Sequence, residues 1–158
     1  MIVYIIRHGQ AENQSDSGRD ADRNLTELGR EQAGAISQYL ARPDTQTPTR
    51  VFASPYTRTR QTAGAIWKAL DHPEQIDDRL AATRSVSDLL SVIPDMDLPA
   101  IALVSHNPIV SRAVDVLLAG PSTQHTCSMR PGQLIALRVD RPDLVGTAEL
   151  VAQFRLGD

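Results

Sequence analysis

Aromatic residues, cysteine and positive charge are all scarce in this sequence. Only 4% of its 158 residues are aromatic, so the 41% that are hydrophobic must form a largely aliphatic core. The net charge of −3 argues against nucleic acid or a membrane surface as a partner, because proteins that bind those usually carry a basic excess. One cysteine, Cys127, excludes an internal disulfide and favours a cytoplasmic location.

Long apolar runs and several well-known enzyme motifs are also missing. No apolar run approaches the ~20 residues that a transmembrane helix needs, and the apolar start reaches Arg7 too soon for a signal peptide. The sequence has no P-loop, no G-x-S-x-G elbow and no zinc-ligand spacing, so we expect neither a metal nor a cofactor. The length fits a single domain over residues 1–158.

Short apolar segments alternate with amphipathic ones along the chain. This pattern predicts strands and helices in turn, with strands at 2–6, 51–53, 101–104, 133–139 and 150–154 and helices at 25–40, 54–70, 86–93 and 108–118. Thr26 is expected to cap the first helix, whereas Ser54 and Pro55 should begin the second. The alternation predicts an α/β fold, a three-layer α/β/α sandwich with a mainly parallel central sheet.

Three of the predicted strands are followed by basic or imidazole side chains. His8 comes after the first strand, Arg58 lies in the helix after the second, and His106 follows the third. Because ligands bind beyond the carboxyl ends of parallel strands, we expect these groups to converge there. A cation in the first turn of a helix opposes the helix dipole, so Arg58 is better explained by a bound phosphate, whereas Arg60 reads as a surface residue.

Two arginines and two histidines at one site suit phosphoryl transfer. The planar forks of Arg7 and Arg58 match the oxygens of a phosphoryl group and stay charged. Neutral His8 has a lone pair that can attack phosphorus, and protonated His106 can donate to the same group. Catalysis would then rest on positioning and on electrostatic stabilisation.

The motifs that carry these residues resemble those of the histidine phosphatase superfamily, whose fold is phosphoglycerate mutase-like. They are Arg7-His8-Gly9, Leu25-Thr26-Glu27-Leu28-Gly29 with Gln32-Ala33, Ser54-Pro55-Tyr56-Thr57-Arg58 with Gln61-Thr62-Ala63, and Ser105-His106-Asn107-Pro108. The resemblance implies that His8 is the phosphorylated nucleophile and that Arg7, Arg58 and His106 complete a metal-independent phosphate pocket. The short chain has no room for a large cap and is most similar to the small SixA-like branch, which acts on phosphohistidine.

The sequence departs from the family pattern in two places. The resemblance implies Gln10 and Asn13 as further phosphate-binding candidates, but the asparagine that many members place after the first motif sits one position early here, at Asn13. Many members also supply a carboxylic acid after the second helix, to protonate the leaving oxygen. No glutamate occurs between Arg79 and Asp88, and Asp78 and Asp88 are the candidates for that acid.

Three functions remain open at this point. The substrate could be a phosphohistidine protein or a small phosphate ester, and the chain could instead bind phosphate without turnover. Retention of both histidines and both arginines argues against the last of these. The lack of an obvious acid favours P–N bonds, because an imidazole leaves with less help than an alkoxide does. The polar loop at 13–24 is long enough to be functional and could form a rim of the site.

Overall fold

The chain forms a five-stranded sheet with helices on both faces. The computed structural model describes residues 1–94, 97–140 and 144–157, and within them it contains β1 (Ile2–Arg7), β2 (Arg50–Ala53), β3 (Ala100–Ser105), β4 (Gln133–Arg138), β5 (Glu149–Arg155), α1 (Glu27–Leu40), α2 (Thr57–Leu70), α3 (Val86–Ser91) and α4 (Ile109–Ala119). All the predicted strands and helices are therefore present, with ends shifted by a few residues. Among the described helices, none is long and apolar enough to cross a membrane.

The strand order brings the carboxyl ends of three neighbouring strands to one edge of the sheet. The order is β2-β3-β1-β4-β5, in which β3 pairs in parallel with both β2 and β1. β4 is antiparallel to β1 and β5 is antiparallel to β4, so only β4 runs against the others. This confirms a mainly parallel sheet. The residues that follow β1, β2 and β3 therefore meet at the same edge.

Alternation along β1 divides the core between two faces of the sheet. Val3 and Ile5 are fully buried in the cluster that includes side chains of α3 and α4, while Tyr4 and Ile6 are buried in the cluster formed with α1 and α2. Successive side chains of a strand point to opposite faces, so one apolar run supplies both layers. The predicted three-layer architecture is confirmed.

The helices α1 and α2 start differently, and α2 is the helix that contains Arg58. The Oγ1 of Thr26 accepts a hydrogen bond from the amide of Gly29, which confirms Thr26 as the cap of α1. The predicted start of α2 at Ser54 is wrong, because α2 begins at Thr57 and Tyr56 precedes it without a side-chain cap. The hydroxyl of Ser54 lies instead against the side chain of His106.

Candidate active site

Both histidines lie where the strand order predicts, at the carboxyl ends of β1 and β3. His8 is 7% exposed and its amide donates to the carbonyl of Ser105, while His106 is 2% exposed. The ring centroids of His8 and His106 are 5.3 Å apart in an edge-on arrangement. Arg58 comes from the first turn of α2, is 3% exposed, and donates from Nε to Nε2 of His8 at 3.2 Å. The sheet thus brings together groups from positions 8, 58 and 106.

The hydrogen bonds of His8 fix its tautomer. Its Nδ1 lies 2.7 Å from the carbonyl oxygen of Gly9, which can only accept, so Nδ1 carries the proton. Nε2 is then a lone pair that accepts from Arg58. Burial lowers the pKa of His8 to about 4; the bond to Gly9 opposes this shift, and the charges of Arg58 and Arg7 add to it. His8 is therefore neutral at neutral pH, with an unprotonated Nε2.

A cavity of about 370 Å³ opens over these groups. Its lining residues are Arg7, His8, Gln10, Ala11, Asp20, Arg23, Arg58, Ala82, His106, Asn107 and Pro131. Gln10 is thus part of the cavity, whereas Asn13 lines a neighbouring one formed by the loop at 13–24. A cavity of this size admits one phosphoryl group and part of its leaving group. Three arginines in the wall make it attractive to an anion.

Arg7 is positioned by the loop that precedes β4. Its Nη1 donates to the carbonyl of Met129 at 2.8 Å, and Asn107 donates to the same carbonyl from Nδ2 at 2.9 Å. The amide of Met129 in turn donates to the hydroxyl of Ser111 on α4. The Nε of Arg7 is buried and has no hydrogen-bond partner among the described residues. Burial lowers the pKa of Arg7, but a guanidinium stays charged at neutral pH.

His106 is held from one side and has an unused nitrogen on the other. Its Nε2 lies 2.8 Å from the hydroxyl of Ser54, which also accepts from the amide of Tyr56. Its Nδ1 is buried and has no partner in the described part of the chain. Burial lowers the pKa of His106 to about 3, and the charge of Arg58 adds to the effect. A buried ring nitrogen without a partner is costly unless a ligand supplies one.

Two residues that the sequence did not single out complete the wall. Asp20 accepts from Nη1 of Arg58 through its backbone oxygen at 2.7 Å and from Nη2 through Oδ2 at 3.1 Å. Arg23 donates from Nε to Oδ1 of Asp20 at 2.9 Å, and its Nη1 donates to the carbonyl of Glu12. The long polar loop was the available signal. It contains three aspartates, and nothing in its pattern distinguishes Asp20 from Asp16 or Asp22.

Several residues of the sequence motifs brace the segment after His8. The hydroxyl of Thr62 accepts from the amide of Gly9 at 3.1 Å, and the side-chain oxygen of Gln32 accepts from the amide of Gln10 at 2.8 Å. Gly29 lies directly against this segment, since a Cβ at Gly29 would be 2.0 Å from the carbonyl oxygen of Gln10. The start of α1 therefore contacts the backbone that follows His8.

Neither acid candidate from the sequence lines the cavity. The carboxylate of Asp88 accepts from the amide and the hydroxyl of Ser85, both at 2.8 Å, and completes a capping box on α3. Asp78 is exposed in a short 3₁₀ turn. Ala82 is the residue of this segment that reaches the cavity. Among the described residues, Asp20 is the one carboxylate that lines it.

A larger cavity, of about 590 Å³, lies at the opposite end of β1, around Met1, Tyr4 and Gln46. Its described lining contains no histidine, and its arginine, Arg138, is paired with Glu149. The smaller cavity at the carboxyl end of β1 is therefore the candidate active site, because the chemically reactive groups converge there.

Known proteins resemble this chain in both sequence and fold. A family model of the histidine phosphatase superfamily (branch 1) matches residues 3–85. A phosphohistidine phosphatase SixA homolog from Haemophilus influenzae is 30% identical over 125 residues, which cover 72% of this chain and 75% of that protein. A glucosyl-3-phosphoglycerate phosphatase from Mycolicibacterium vanbaalenii is 36% identical over 83 residues, or 51% of this chain and 36% of that one.

Solved structures extend the likeness of fold to the whole chain. The protein histidine phosphatase SixA complexed with tungstate superposes with a TM-score of 0.80 at 22% identity, covering 98% of this chain and 97% of that one. A SixA from Agrobacterium tumefaciens gives a TM-score of 0.77 at 24% identity, covering 97% of each chain. The family match includes most of β1, which is followed by His8, and the helix that holds Arg58. The chain is a phosphatase that belongs to the histidine phosphatase superfamily, within its small SixA-like branch.

Proposed function

We propose that this phosphatase hydrolyses phosphohistidine in proteins, through a phosphoenzyme on Nε2 of His8. The hydrogen bond between Nδ1 of His8 and the carbonyl of Gly9 carries the proposal, since it leaves an unprotonated Nε2 facing an arginine-lined cavity. The Haemophilus influenzae relative, named as a phosphohistidine phosphatase homolog, supports the same substrate class.

In the first step, the lone pair on Nε2 of His8 attacks phosphorus. The Nε2–P bond forms as the P–N bond of the substrate breaks, and the electron pair of that bond stays on the departing imidazole. Arg58 turns its Nε from His8 to a phosphoryl oxygen, and the free Nε of Arg7 donates to another. The guanidinium groups of both arginines already line the cavity before the reaction, so little further reorganisation is needed.

In the second step, water attacks the phosphorus of phospho-His8. The electron pair of the P–Nε2 bond returns to the ring, and both protons of the water remain on the released phosphate. Nδ1 of His8 keeps its proton, which it donates in the hydrogen bond to the carbonyl of Gly9. His8 therefore leaves as a neutral imidazole and needs no proton from another residue. The tautomer that exposes the nucleophile in the first step therefore also prepares the leaving group in the second.

His106 supplies a further donor to the transferring group. When the hydroxyl of Ser54 accepts from the amide of Tyr56 and donates to Nε2 of His106, the ring proton sits on Nδ1. A phosphoryl oxygen is the partner that this buried N–H lacks in the ligand-free protein. A phosphoryl dianion also favours the protonated form of the ring, which strengthens the interaction.

The choice of phosphohistidine over an ester rests on the cavity wall. An alkyl ester expels an alkoxide unless an acid protonates it. The carboxylate available there is that of Asp20. Burial raises the pKa of Asp20, but the hydrogen bond and charge of Arg58, together with the charge of Arg23, outweigh burial and lower that pKa below its usual value. Asp20 is thus ionised and has no proton to give. A small ester is the second candidate, because of the glucosyl-3-phosphoglycerate phosphatase relative.

The proposal predicts that His8→Ala abolishes turnover and the acid-labile phosphoenzyme. A phosphohistidine peptide, an alkyl phosphate and p-nitrophenyl phosphate would be assayed with EDTA present, with His72→Ala as a control histidine outside the cavity. We expect the highest kcat/KM for the peptide, and activity unaffected by chelation. An active His8→Ala variant would refute covalent catalysis, a better alkyl ester would indicate a small-molecule phosphatase, and binding without release would indicate a binding module.

The remaining sequence-based expectations stay predictions. The free thiol of Cys127 fits the expected cytoplasmic location. The span of one domain over residues 1–158 and the absence of a cofactor await limited proteolysis and activity assays of metal-free protein.

A further inference from the structure

A carboxylate is an unexpected component of a cavity that binds an anion. The side chain of Asp20 is 61% exposed at the rim of the cavity, above Arg58, whose side chain is 4% exposed. Arg58 and Arg23 each bond one of its oxygens, at 3.1 Å and 2.9 Å. A negative charge here weakens the attraction between the cavity and a phosphoryl group, so it needs a reason that phosphate binding does not provide.

We infer that Asp20 determines specificity by facing the leaving group and selecting one that departs as an imidazole. The inference rests on the proposed function and adds to it the chemistry by which phosphohistidine is distinguished from an ester. The relevant property is the sign of the charge that the leaving group carries in the transition state.

The structure leaves Asp20 able to accept another hydrogen bond. An ionised carboxylate has about four acceptor sites, and the side chains of Arg58 and Arg23 use one on each oxygen. The side chain of Asp20 lines the cavity and remains largely exposed, while the two arginines hold its position. The loop at 13–24 therefore presents a fixed, partly unused anion where a substrate must enter.

A phosphohistidine ring reacts best when its second nitrogen is protonated. The P–N bond then breaks with its electron pair moving to the ring, and the product is a neutral imidazole that keeps its own proton. Throughout this step the ring has positive character and an N–H donor that Asp20 can accept. An ester differs, because its departing oxygen gains negative charge, which Asp20 repels. One fixed charge therefore acts on the two substrate classes in opposite directions.

The experiment compares Asp20→Asn with wild type on a phosphohistidine peptide and on p-nitrophenyl phosphate. Asparagine removes the charge, keeps an acceptor oxygen, and leaves the backbone bond from Arg58 to residue 20 available. The matched control is Asp22→Asn, at the other end of the short 3₁₀ turn Asp20–Asp22, since Asp22 does not line the cavity and contacts Ser17 and Arg19. Inhibition by inorganic phosphate reports whether Arg58 remains in place.

We expect Asp20→Asn to lower kcat/KM for the peptide by about tenfold and to leave it equal or higher for p-nitrophenyl phosphate, the change that removal of one partly screened charge would give. Inorganic phosphate should bind equally well or more tightly, and Asp22→Asn should match wild type. A parallel loss on both substrates, weaker phosphate binding, or no change on either would overturn the inference alone. A wild-type protein that cleaves p-nitrophenyl phosphate but not the peptide would overturn the proposed function, and this inference with it.

Discussion

A methyl group added at Gly29 should push α1 away from the segment that follows His8. Its Cβ would lie 2.0 Å from the carbonyl oxygen of Gln10 and 3.0 Å from the carbonyl carbon. Both are backbone atoms, so no side chain can rotate to relieve the overlap, and the backbone must move by roughly 1 Å to restore a normal contact. Overpacking of this kind costs about 1–3 kcal/mol, and we expect the free energy of unfolding to fall by the upper value.

The same displacement should reduce activity more than the loss of stability explains. The carbonyl of Gln10 accepts from the amide of Thr26, and the preceding carbonyl, of Gly9, fixes the His8 ring. A shift of about 1 Å in a reacting group can lower the rate by ~100-fold. Denaturant unfolding would measure the first effect, and kcat on p-nitrophenyl phosphate, well below the unfolding transition, would measure the second.

Gly34 offers a control in the same helix. A Cβ there would meet no atom within 4 Å, so Gly34→Ala should stabilise α1 by about 0.5–1 kcal/mol and leave kcat unchanged. The reasoning would be refuted if Gly29→Ala were as stable and active as Gly34→Ala, since the close approach of the two backbones would then have no consequence.

Three further predictions concern the chemistry of the site. The His8 ring should titrate by NMR near pH 4 in the ligand-free protein, and a titration near 6.5 would contradict its burial. Because the pKa of His8 and the pKa of His106 are both lowered by folding, the unfolded chain binds protons that the folded chain does not. The free energy of unfolding should therefore fall as the pH drops from 6.5 towards 4. Ser54→Ala should lower kcat by about tenfold with a smaller effect on KM, because His106 loses the partner that orients it, and a wild-type kcat would remove Ser54 from the mechanism. Asp78→Asn and Asp88→Asn should each cleave the phosphohistidine peptide at nearly the wild-type rate, and a loss of orders of magnitude in either would show that it is the missing acid.

The elements of the fold could be predicted because their signals are local. Alternation of apolar segments located the strands, and the cap at Thr26 located the start of α1. The start of α2 could not be predicted in the same way. Ser54 and Pro55 fit the rules for a helix start, but the hydroxyl of Ser54 contacts His106, about fifty residues later in the chain. The start of α2 thus depends on a tertiary hydrogen bond, whereas the sequence contains only local signals for a helix start.

The candidate site was predictable where it depends on strand ends and unpredictable where it depends on a loop. His8 and His106 follow apolar runs, so the parallel sheet brings them together. Asp20 belongs to a polar loop without periodicity, and its contact with Arg58 depends on the path of that loop in space. The pattern of Ser85 and Asp88, by contrast, is a capping box that the sequence already displays, and it could have excluded Asp88 as the acid.

The central place of β1 in the sheet has a consequence for how the protein folds. Its two neighbours are distant in sequence, since Ile2 pairs with Ala100 on one side and with Arg138 on the other. Closing loops of roughly a hundred residues loses chain entropy before any contact is gained, which slows folding. Until both neighbours arrive, the apolar run Ile2–Ile6 is an unpaired strand, and exposed strands of this composition aggregate. Refolding yield should therefore depend strongly on protein concentration, because the strand that precedes His8 stays uncovered until both distant neighbours have paired with it.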